Sequence, residues 1–452
     1  MKDFNNIFKN AAPISKEELD NLQEKYNSSK EHDILRHALV ENSIATITRS
    51  DDFRKDVDFK FSIDIKTMQA TNQKASGRCW IFAACNVLRE MIGKKANISE
   101  FELSQSYIAF WDKYEKFNYA LETIIDLIES DPDDRVLSYI LACGIQDGGQ
   151  WDMFVNVVKK YGVCPKNVQV ETFASSNTRE MNQLINVQIK KFAAVGQKLY
   201  KEKGMDAVKA YKNELLEKMY NLLSDCYGKP VTNFDFEYVD KDNNYHLETG
   251  FTPKSFFDVY VGKEIDDYVS LIDSPTKDKP YYKTYTIAYL GNVIGGKDIK
   301  HLNLPIERLK ELVINQLKDG EIVWFGSDCG KEGNRQEGIW DPNQFDYGTP
   351  FGLDYHCSKE DALDYRISVM NHAMCITGVN LNGDKPTKWK IENSWGTDRG
   401  KSGYYIMSDE WFSNFVYQAV VNKKYLNEKE LKALDAKPIV LLPWDPMGSL
   451  AD

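Results

Sequence analysis

Gln73, Cys79, His372 and Asn393 stand in this order along a chain of 452 residues, and together they are the residue types that nucleophilic acyl transfer requires. A cysteine attacks as its thiolate, so it needs a base to take its proton, and that base needs a third group to hold its tautomer. A carboxamide beside the nucleophile supplies an N–H donor for the oxyanion that forms when a carbonyl is attacked. Each residue taken singly has a plainer reading. A cysteine at a helix start is more often structural, a histidine heading an apolar strand is more often a core residue, and an asparagine before Ser394 is a turn former. The ordered set is what carries the chemistry.

The elements that must position these groups are legible around them. Gly77-Arg78 favours a turn, and Ile81, Ala84, Leu88 and Met91 or Ile92 then share one helical face, which predicts a helix opening at Cys79. A thiol there feels the partial positive charge of the helix N-terminus, which favours the thiolate. His372 heads the apolar run through Val379, and Asn393 follows the run Trp389 to Ile391, so both fall at strand ends where neighbouring strands can bring them together. Upstream, residues 14–40 predict a helix, with Ser15 and Glu18 as its capping box, and Phe59, Phe61, Ile63 and Ile65 alternate as in a half-buried strand. Residues 177–225 are Lys-rich, helical in period and free of proline; a further helix runs from Pro305 to Gly320. The segment 438–452 holds three prolines and reads as an extended tail.

Composition excludes several classes. The net charge of −11 argues against nucleic acid as the main partner. Eight lysines between Lys190 and Lys218 face four acidic residues and read as a solvated face. The eight cysteines form no C-x-x-C, and no H-E-x-x-H or G-x-S-x-G occurs, so zinc-ribbon, zinc-peptidase and serine-hydrolase chemistry is not indicated. Apolar stretches such as 137–145 fall far short of the ~20 residues a membrane span needs. The first residues lack the apolar core of a signal peptide, which leads us to expect a cytoplasmic protein with reduced thiols. No metal or cofactor is called for.

With Gln73, Gly77-Arg78-Cys79-Trp80, Leu103-Ser104-Gln105, Gly148-Gly149, His372-Ala373 and Asn393-Ser394-Trp395-Gly396 in family order, the sequence resembles the papain-like cysteine peptidases. Arg78 departs from the small residue usual before the cysteine. The tail 442–451 (LPWDPMGSLA), Leu363-Asp364-Tyr365-Arg366 and the 293 residues separating Cys79 from His372 are similar to the bleomycin hydrolase and aminopeptidase C group.

The resemblance implies an α+β papain-like fold with a helical left subdomain and an antiparallel, barrel-like right subdomain. It suggests an N-terminal arm over 1–65, the left subdomain over 66–170, a mostly helical insertion over 171–290, the right subdomain over 291–435 and a C-terminal arm over 436–452. Cys79 would attack as a thiolate paired with protonated His372, with Asn393 orienting the imidazole and Trp395 shielding it. Gln73 and the Cys79 N–H would form the oxyanion hole, and Gly148 and Gly149 would offer bare backbone to the substrate. The arm would lie in its own cleft, with Ala451 as working carboxylate after loss of Asp452. The expected activity is aminopeptidase action on peptides with a free N-terminus, in a homohexamer. An endopeptidase or amide hydrolase is the alternative, with nucleic-acid binding or a scaffold role behind it.

Overall fold

The hydroxyl of Ser15 accepts a hydrogen bond from the Glu18 N–H at 3.2 Å while the Glu18 carboxylate accepts one from the Ser15 N–H at 2.7 Å, and this reciprocal cap starts the helix Lys16–Asn27. The expected single helix over 14–40 is two. Ser29 takes extended backbone and caps a second helix, Lys30–Leu39, because its hydroxyl accepts the His32 N–H. The computed structural model describes residues 7, 8, 10–50 and 58–451. These fall in two units: Met1–Asp56 with Asn343–His356, and Val57–Pro342 with Cys357–Asp452. In the first, Leu19, Leu22 and Ile34 are exposed on the two helices and Val40 just after the second, and Ser50 and Asp346 tie the two segments by backbone hydrogen bonds.

The second unit is mixed α/β and holds the residues of interest. Its helical part contains Cys79–Ala96, Gln105–Asp126 and Trp151–Tyr161, packed about Trp80, Phe110, Phe117 and Phe154, all buried. Gly204 breaks the long helical stretch into Arg179–Lys203 and Met205–Tyr227 by adopting φ 77°, a region open to glycine. A twelve-stranded sheet forms the other part, with Val416–Asn422, Val323–Ser327, His372–Asn382, Lys385–Glu392 and Tyr404–Ser408 adjacent and antiparallel at its centre. Within the expected antiparallel right subdomain one pairing differs, Ile339–Trp340 with Tyr404–Ser408 being parallel, and the sheet continues beyond it through the parallel pairs Tyr268–Ile272 with His301–Asn303 and Thr284–Ile287 with Ile439–Leu441. Such pairs need long crossovers, which the intervening chain supplies. Of the alternating run 59–65, only Ile63–Asp64 pairs, along the strand His372–Asn382. The tail is extended at Ile439–Leu441 but then coils into a 3₁₀ turn over Pro446–Ala451, whose Pro446, Met447, Gly448 and Leu450 are buried.

Candidate active site

The helix Cys79–Ala96 begins on a turn held by an ion pair that local sequence reasoning missed. Arg78 is buried, and its guanidinium donates twice to Glu171, at 3.1 and 2.9 Å, and once to the Ser76 hydroxyl at 3.0 Å. A planar fork matched to a carboxylate is the geometry in which a buried arginine is tolerated, so Arg78 fits where a small residue is usual. Deeper in the helix, Arg89 meets Glu392 at 2.5 Å, and both are buried. Asn86 also donates to Glu392, at 2.8 Å. Glu392 precedes Asn393, so this cluster ties the cysteine helix to the asparagine strand.

His372 and Asn393 stand at the same end of two adjacent antiparallel strands, His372 opening one and Asn393 following the other. The imidazole Nε2 lies 2.9 Å from Asn393 Oδ1. That oxygen also accepts the Ser394 N–H at 2.7 Å, which fixes it as an acceptor. Nε2 therefore carries the proton, and Nδ1 presents a lone pair. Trp395 stacks on the imidazole with ring centroids 4.8 Å apart and covers it. Gln73 is held at both ends of its carboxamide: Oε1 accepts from the Ser394 hydroxyl at 2.6 Å, and Nε2 donates to the Ser76 carbonyl at 2.6 Å. One N–H of Nε2 remains.

Gln73, Cys79, Gly148 and His372 line one cavity of about 650 Å³, together with Ser449 and Leu450 of the tail. The two glycines separate in role. A Cβ at Gly148 would collide with the Leu450 carbonyl and come within 3.1 Å of Ala451, so its bare backbone faces the tail. Gly149 instead lies on the Trp80 ring, where a Cβ would sit 2.5 Å from the indole; it serves packing. The tail is clamped from several sides. Arg366 donates to the Trp444 carbonyl at 3.3 Å, Arg135 lies 3.9 Å over the Trp444 ring, and Lys279 pairs with Asp445 at 2.9 Å. Gln150 donates to the Met447 carbonyl at 3.2 Å and Ser449 to the Met370 carbonyl at 2.8 Å. Ala451 is half-buried beside Gly148, and Asp452 lies outside the described residues.

Burial acts against the charged forms of both Cys79 and His372. Burial pushes the Cys79 thiol up to about 11, with backbone N–H groups of Ala373 and Trp80 opposing and the Asp147 carboxylate adding to the rise. Burial likewise takes His372 down to about 4, against the hydrogen bond to Asn393. Burial therefore opposes the pull of the helix N-terminus on the Cys79 proton, and it likewise disfavours the charged imidazolium.

A further buried network fixes the cavity floor. Burial alone would raise the Asp147 carboxyl, but the Lys113 charge at 2.8 Å, with hydrogen bonds from Lys113, Thr178 and the Gly77 N–H, holds it well below the usual range. The Asp147 carbonyl accepts the Trp80 indole N–H at 2.6 Å.

The model of the Peptidase C1-like family matches residues 13–448. Aminopeptidase C of Lactobacillus delbrueckii subsp. lactis is 46% identical over 97% of this chain and 98% of its own. Human bleomycin hydrolase is 40% identical over 87% of this chain and 89% of its own. A crystal structure of PepW from Lactobacillus rhamnosis superposes with a TM-score of 0.94 at 45% identity, covering 97% of this chain and 99% of that one. Matched over residues 13–448 and similar to these relatives along most of its length, the chain belongs to the Peptidase C1-like family.

Proposed function

We propose that this chain is a cysteine aminopeptidase that releases residues singly from peptides with a free N-terminus. The observation that carries it is the tail: Ser449 and Leu450 line the same cavity as Cys79 and His372, which leaves little room for chain on that side of the cut. His372 Nδ1 takes the thiol proton, and Cys79 Sγ attacks the scissile carbonyl as the thiolate paired with that imidazolium. The Cys79 N–H and the remaining N–H of Gln73 receive the oxyanion. His372 gives its proton to the leaving amine, and the acyl-enzyme then yields to a water that His372 deprotonates. Asn393 holds the tautomer and Trp395 keeps water off that hydrogen bond. Gly148 approaches the substrate backbone, and Ala451, after loss of Asp452, offers its carboxylate to the substrate ammonium.

The domain division expected from the resemblance, a cytoplasmic location and a homohexamer belong to the same proposal. No described helix is long and apolar enough to cross a membrane. The exposed Leu19, Leu22, Ile34 and Val40 support subunit contacts through the N-terminal helices. The test is a mass-spectrometric time course on an unblocked decapeptide, its N-acetylated twin and a Cys79→Ala control. A ladder of single N-terminal losses, absent from the twin and the control, is expected; internal cuts in both peptides would refute the reading.

A further inference from the structure

The cavity at Cys79 extends past Gly77 and Gly148 to the first turns of the helix Arg179–Lys203, and its charge balance is one-sided. Asp147 is the one carboxylate among the described residues that line it. That charge is committed to Lys113, with Asn182, Thr178 and the Gly77 N–H completing its shell. Lys74 and Arg179 also line the cavity, both exposed, and among the described residues neither side chain has a hydrogen-bond or ion-pair partner. They are held at one rim, because the Ala75 N–H donates to the Ser176 carbonyl at 3.0 Å and Ala75 bridges Asn177. The rest of that wall is polar, with Gln146, Asn182 and Gln183. An apolar side chain would bury itself against groups that want hydrogen bonds, and a lysine or arginine would meet two like charges.

We propose that this pocket receives the side chain of the substrate's N-terminal residue, and that Lys74 and Arg179 make an acidic residue, glutamate before aspartate, the favoured one. The inference rests on the aminopeptidase reading and names its substrate class. Glutamate carries its carboxylate one methylene further toward the rim than aspartate, and glutamine matches glutamate in shape without the charge. The Glu-to-Gln ratio of kcat/KM therefore isolates the two cations.

The experiment measures kcat/KM on the Glu, Gln, Leu and Lys amides of aminomethylcoumarin at low and high salt. The expected ratio of Glu to Gln is about fivefold, equivalent to about 1 kcal/mol, falling toward one in 0.5 M NaCl. Arg179→Gln and Lys74→Gln should each lower the ratio, and because the readout is a ratio a general loss of activity cancels. Turnover with a ratio at or below one overturns the pocket assignment and leaves the aminopeptidase standing. The same holds if the acid preference appears only at the second residue, compared with Leu-Glu and Leu-Gln substrates. No release of any N-terminal residue, on these amides or on free peptides, overturns both.

Discussion

Ser394 touches no reacting atom in the proposed mechanism, yet its hydroxyl donates to Gln73 Oε1 at 2.6 Å, and a double-mutant cycle isolates what that bond does. Gln73→Ala removes a carboxamide N–H from the oxyanion site, and the loss of one such donor lowers kcat by about 10²–10³. Ser394→Ala leaves Gln73 in place but frees one end of its carboxamide. The other end is still held by the Ser76 carbonyl at 2.6 Å, and the backbone stays tied through the Gln73 N–H to the Ser394 carbonyl at 2.8 Å. The loss is then that of one hydrogen bond, about 1 kcal/mol, or about fivefold in kcat. If Ser394 acts through Gln73, its removal costs nothing further once Gln73 is alanine, so the coupling energy equals about 1 kcal/mol. The assay is kcat and KM for wild type, both single variants and the double variant on one unblocked aminoacyl amide, with melting curves to confirm folding. A fivefold loss from Ser394→Ala in both backgrounds would refute the positioning role. A Gln73→Ala enzyme within tenfold of wild type would refute the oxyanion site itself.

Arg89→Met strips the buried Glu392 of its cation; breaking such a pair costs about 3–5 kcal/mol, a lowered Tm should report it, and Glu392→Gln should cost less because Arg89 keeps Glu90 at 3.5 Å and the Gln69 and Met68 carbonyls. His301 is buried with its Nδ1 2.7 Å from the Ser270 hydroxyl, and burial takes it down to about 4. The unfolded chain therefore binds its proton first, so stability conferred by neutral His301 is present above pH 6.5 and is lost as pH falls toward 4. Melting curves over that window should show a decline that His301→Gln flattens, and an unchanged slope would count against the assignment. Truncation before Met447 removes Ser449 and Leu450 from the cavity, and the truncated enzyme should begin to cut the N-acetylated peptide; its continued resistance would mean the tail is not what closes the cleft. The upward shift of Cys79 by burial predicts slow alkylation by iodoacetamide at pH 7 that rises with pH; fast, pH-independent alkylation near pH 7 would instead show a thiolate held by His372.

The placement of Cys79, His372 and Asn393 was legible in the sequence because each depends on a local rule. A turn followed by a helical period places Cys79 at a helix start, and two apolar runs separated by a tight connection put His372 and Asn393 at one end of adjacent strands; the register Cys375 to Glu392 is what such a hairpin gives. Long-range pairs were not legible. Glu171 is 93 residues from Arg78, and Arg366, which sits at φ 62° and reaches the Trp444 carbonyl, is 78 residues from the strap it clamps. No periodicity reports such a match, since either partner alone is one more charged residue on a polar stretch. Gly148 and Gly149 are equivalent in sequence and differ only in what folds against them, the tail in one case and Trp80 in the other.

The protonation state of the nucleophile shows the division best. Sequence alone put the thiol at a helix N-terminus, where a fraction of a positive charge favours the anion. Tertiary structure sets how much water that thiol keeps, and burial, which pushes it up to about 11, works against the helix end.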